Sequence, residues 1–98
     1  MPKAEKLLDI RLETDDGFLI ALWLWRVPQP VRPARHSFKY ALFFGRPGKR
    51  LVLFDNERGK GDHKHILGVE SSYEFSTPEK LIADFEAAVR AMREGDKG

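Results

Sequence analysis

The chain has 98 residues, 42% hydrophobic and 33% charged, which leaves room for one hydrophobic core and excludes a disordered or fibrous protein. It has no cysteine, which excludes a disulfide framework and a thiolate zinc site. The net charge of +2 is unevenly spread: residues 1–25 carry −2, residues 26–64 carry +7 and residues 65–98 carry −3, so the basic middle predicts a surface that faces a polyanion or an acidic partner.

Between Lys6 and Thr14, apolar Leu8, Ile10 and Leu12 alternate with Asp9, Arg11 and Glu13, the period of a strand with one wet face. Asp15-Asp16-Gly17 supplies a turn, and Phe18 to Arg26 returns as the second strand of a hairpin. That strand is apolar on both faces. In so small a domain it must be central or lend its second face to a partner, and Leu19, Trp23, Trp25 and Phe43 together predict a homodimer or a complex. The run from Phe18 to Trp25 is far shorter than the roughly 20 residues of a membrane-spanning helix. A polar start, Met1 to Lys6, predicts no signal peptide, and the expected location is the cytoplasm, without membrane contact.

Val27 to Ala34 contains Pro28, Pro30 and Pro33 and reads as an extended, exposed connection. Ser37 to Phe44 is a third strand, Gly45-Arg46-Pro47-Gly48 a turn, and Lys49 to Asp55 a fourth strand. Asn56 to Ser72 is polar, carries glycines at 59, 61 and 68 and lacks periodicity, so it reads as a long loop. Tyr73-Glu74-Phe75 reads as a short edge strand. Thr77 as N-cap, Pro78 at the first position and Glu79 in the first turn open a helix, with Ser76 and Glu79 as the competing capping box. Leu81, Ile82, Phe85, Ala88, Val89 and Met92 make its apolar stripe, and Gly95 ends it. The expected fold is α+β over a single domain, 1–98, with frayed ends at about 1–5 and 95–98. An antiparallel sheet of four to five strands, two hairpins plus the edge strand, carries the C-terminal helix on one face.

Asp55-Asn56-Glu57-Arg58-Gly59-Lys60-Gly61-Asp62-His63-Lys64-His65 gathers the groups that phosphodiester chemistry needs. Imidazoles exchange protons near neutral pH, and cationic side chains hold phosphate oxygens. The catalytic candidates are His63, His65, Lys60, Asp55 and Asp62, with Asp55 or Asp62 orienting an imidazole. Arg58, Arg50, Asn56 and Lys64 are the substrate-binding candidates. Bland roles compete: Asp55 and Asn56 follow a strand end where side-chain turns are common, and the basic residues can form a solvated face. No metal is expected, because His63-x-His65 with one carboxylate offers at most three ligands and no second cluster exists in the sequence. No other cofactor is expected either. Trp23 and Trp25 read as core or interface before they read as base-stacking platforms.

The run Leu53 to His65, followed by Tyr73-Glu74-Phe75-Ser76 and Pro78 to Phe85, resembles the TumE-type family of bacterial and archaeal proteins. The resemblance covers roughly residues 36–92, with Phe54 where the family commonly has Tyr. It implies the toxin of a toxin–antitoxin pair and hence a cognate antitoxin as partner. Together with the side chains above, the expectation is a toxin acting on RNA as a metal-independent endoribonuclease. Two alternatives stay open: a non-enzymatic module that binds protein or nucleic acid, and a metal- or nucleotide-dependent hydrolase or transferase.

Overall fold

The computed structural model describes residues 3–95. Six antiparallel strands follow one another in space in chain order: β1 (Glu5–Glu13), β2 (Leu19–Arg26), β3 (Phe38–Arg46), β4 (Lys49–Glu57), β5 (Gly61–Ile66) and β6 (Val69–Ser72). One helix, α1 (Pro78–Gly95), packs on one face of this meander. The α+β architecture is as expected. The strand count is not: the sheet has six strands rather than four to five, because residues 61–72, read as loop, form a third hairpin. Tyr73 to Phe75, read as the edge strand, is a connection, and β1 and β6 are the two edges. Of the ends expected to fray, residues 1–2 and 96–98 lie outside the described residues, while Glu5 opens β1 and Gly95 closes α1.

Sheet alternation decides which residues meet the helix. Tyr40, Leu42 and Phe44 of β3 and Val52 and Phe54 of β4 are buried on one face, against Leu81, Phe85 and Val89 of α1. The rings of Phe54 and Phe85 meet edge-on at 6.0 Å. A bulge near Gly45, where Phe44 pairs with Val52 but Gly45 with Arg50, puts Leu51 and Val52 both into the core. Only glycine fits there, since a Cβ at position 45 would collide with the Lys49 carbonyl oxygen. Thr77 caps α1 as expected: its Oγ1 accepts the Lys80 N–H at 3.1 Å. At the other end Arg93 donates to Asp16 at 2.7 Å and ties the helix to the β1–β2 turn.

The opposite face of the sheet has no helix. Register puts Leu19, Ala21, Trp23 and Trp25 of β2 there beside Lys39, Ala41 and Phe43 of β3, all of them half-buried. The ring centroids of Trp23 and Trp25 lie 5.9 Å apart. No helix among the described residues is long and apolar enough to cross a membrane.

Candidate functional site

The β4–β5 hairpin builds the site. The chain reverses through Arg58, Gly59 and Lys60, and Gly59 (φ 89°) and Gly61 (φ 77°) take the left-handed backbone that the reversal needs. Asp55 then pairs with His63, and Leu53 with His65. Since successive strand residues alternate, Asp55, His63 and His65 share the face away from the helix. Asn56, which pairs with Asp62, and Lys64, which pairs with Phe54, turn toward the helix side.

On the open face His63 is 4% exposed. Its Nδ1 lies 3.0 Å from the Gly61 carbonyl oxygen, and its Nε2 lies 2.7 Å from Asp55 Oδ1. That second distance is within ion-pair range, yet neither atom has a partner in hydrogen-bonding geometry. His65 stands edge-on to His63, ring centroids 5.0 Å apart, and its Nδ1 is 3.5 Å from Nη2 of Arg50. One ligand atom from each of Asp55, His63 and His65 lies within 4.8 Å of the others. Burial pushes the Asp55 carboxyl above the ordinary carboxylate range; the His63 ring opposes that shift, Glu57 adds to it, and His65 and Lys39 oppose it. Lys60 reaches Glu70, the cross-strand neighbour of His65, at 3.8 Å.

Asp62 belongs to a second cluster. Its Oδ2 accepts the Tyr40 hydroxyl at 2.6 Å and meets His36 Nε2 at 2.7 Å, while His36 Nδ1 accepts the Phe38 N–H and its ring stacks on Phe75 at 3.9 Å. Burial and the Asp62 carboxylate raise the Tyr40 phenol well above its usual range. Asn56 is fully buried: its Oδ1 accepts the Tyr40 N–H at 3.0 Å and its Nδ2 donates to the Phe38 carbonyl at 2.7 Å. Lys39 Nζ donates to the Asn56 carbonyl. Arg58 lies with the proline-rich segment, where Gly59 N–H donates to the Arg32 carbonyl at 2.8 Å. A groove of about 710 Å³ there is lined by Pro30, Arg32, Pro33, Arg35 and Arg58.

The structure thus brings together Asp55, His63, His65 and Arg50, with Lys60 alongside, and leaves Asp62, Asn56 and Lys64 on the other side of the sheet. Sequence reasoning passed over His36, Lys39 and Glu70. An alternating reading of Gly61 to Ile66 as a strand would have separated Asp62 and Lys64 from His63 and His65. His36 follows the prolines, and nothing local ties it to Asp62, 26 positions away.

The family model described as toxin TumE matches residues 3–93, nearly the whole chain. No curated protein and no solved structure matches it.

Proposed function

We propose, from the premise that this chain belongs to the TumE toxin family, that it is the toxin of a toxin–antitoxin pair and acts on RNA at the open face of its sheet. The observation that carries the reading is the meeting of Asp55, His63 and His65 beside Arg50. Two imidazoles and a carboxylate supply acid–base groups that move a proton from the 2′-hydroxyl and to the leaving oxygen. Arg50 and Lys60 supply positive charge for the phosphodiester. The arginine-lined groove begins beside Gly61, whose Cα hydrogens face the Pro33 ring, two residues or roughly 6–7 Å along β5 from His63. A single strand lying along β5 would place one phosphate near Arg50 and another near Arg58. A cognate antitoxin would then act by covering this face.

The test is growth and total RNA after induced expression of the wild type, His63→Ala and His65→Ala. Arrest with RNA fragmentation is expected for the wild type and loss of both for each variant. Equal toxicity in all three would remove the imidazoles from the mechanism.

A binding module without cleavage is favoured by one different observation, the adjacent Trp23 and Trp25 on the same open face. Base stacking on such rings is sequence-tolerant, and its phosphate contacts weaken steeply with salt. Salt-dependent RNA retention with no cleavage product would select that function.

A further inference from the structure

We infer that Asp55, His63 and His65 form a binding site for one divalent transition-metal ion, with zinc as the best-fitting probe. The inference starts from the proton on His63. The Gly61 carbonyl oxygen can only accept, so Nδ1, 3.0 Å away, carries the ring proton. Nε2 is then the ring atom left for a second partner. It lies 2.7 Å from Asp55 Oδ1, outside hydrogen-bonding geometry with it.

Both atoms are buried without a hydrogen-bond partner, and a metal ion beside them, bound by the imidazole nitrogen and the carboxylate oxygen, would satisfy both. His63 is 4% exposed, so an unpartnered Nε2 is costly there. His65 sits two residues further on the same strand and adds a third ligand atom within 4.8 Å. Two imidazoles and one carboxylate, with a remaining position open to water, are the donor set of catalytic zinc centres and suit a borderline first-row ion better than Mg²⁺ or Ca²⁺. The Nδ1 contact to a backbone carbonyl is the outer-shell support that metal-binding histidines use to fix their tautomer.

The ion would lower the pKa of a bound water to about 7 and polarise a phosphoryl oxygen. That last step rests on the open face being the reaction centre; with the ion held, its bound water, rather than the imidazoles, would take the 2′-hydroxyl proton. Ion binding itself does not depend on it.

The experiment uses chelator-stripped full-length protein titrated with Zn²⁺, and with Co²⁺ as a spectroscopic probe, in the absence of RNA. Saturable binding of one ion per chain is expected, with a rise in melting temperature. Asp55→Asn and His65→Ala are expected to weaken affinity by more than about 100-fold, the upper end of what outer-shell changes do, while His36→Gln leaves it unchanged. A measurement on the wild type alone keeps the question decidable if a variant does not fold: substoichiometric Co²⁺ should shift the imidazole resonances of His63 and His65 ahead of those of His36. No saturable binding, or first effects at His36, would overturn the site. Because no RNA is present, that failure is distinct from a failure of the growth test.

Discussion

Asn56 is the residue on which the site's geometry turns, although it touches none of the site's chemistry. The β3–β4 ladder pairs Ala41 with Asp55, and one step beyond, the Asn56 amide takes over by bonding the Tyr40 N–H and the Phe38 carbonyl. Asp55, next in the chain, is held by that attachment. Asn56→Ala leaves the buried Tyr40 N–H and the half-buried Phe38 carbonyl without this partner, and urea denaturation should show a loss of about 2–4 kcal/mol. The sequence marks Asn56 as a polar residue at a strand end, which fits a turn, a substrate contact or a buried amide equally well. Only its full burial decides for the third. The same holds for Asp62, which the sequence puts beside His63 and the fold gives to His36 and Tyr40.

At the scale of elements, β5 and β6 were the illegible part. Their two-residue turn is Leu67-Gly68, both with positive φ (51° and 80°), the pattern of a type I′ hairpin. Asn or Asp at the first position would have announced it; Leu hides it. The polar, glycine-punctuated sequence of these strands lacks an apolar alternation because β6 is an edge with all four residues exposed. The connection that follows is fixed to the helix through Tyr73, whose hydroxyl donates to Asp84 at 2.7 Å. That hydrogen bond, with Lys80 beside it, holds the Asp84 carboxyl below the ordinary range. A depressed carboxylate pKa means that the unfolded chain takes up its proton first as pH falls. The contribution to stability is therefore present above the unfolded pKa and is lost as pH drops through the folded one. Tyr73→Phe should move the Asp84 midpoint upward in an NMR carboxyl titration and flatten the acid limb of the stability curve; an unmoved midpoint would refute the link.

The described residues form a single sheet with one helix, so the core is one layer thick and lies between the sheet and α1 with the connection through Phe75. Phe85, 2% exposed at the centre of that layer, stands against Phe54. Phe85→Ala is expected to cost about 3–5 kcal/mol, a large share of the roughly 5–15 kcal/mol that small domains possess, and a urea midpoint lowered in proportion would verify it. The other face, freed from core duty, is where the buried histidine and its carboxylate could be placed.

By itself the sequence determined the strands up to Asp55, the C-terminal helix with its Thr77 cap, the family, and the segment that holds the candidate site, since each depends on local periodicity or on a contiguous motif. The tertiary structure alone decided that Asp55, His63 and His65 share a face with Arg50, that Asp62 and Asn56 leave it, and that His36 joins Asp62. The first two outcomes follow from cross-strand register, and the third from the path of the chain before β3. A shift of one residue would send every side chain of β5 to the opposite face, and register is set by the turns and by packing rather than by the residue types within the strand.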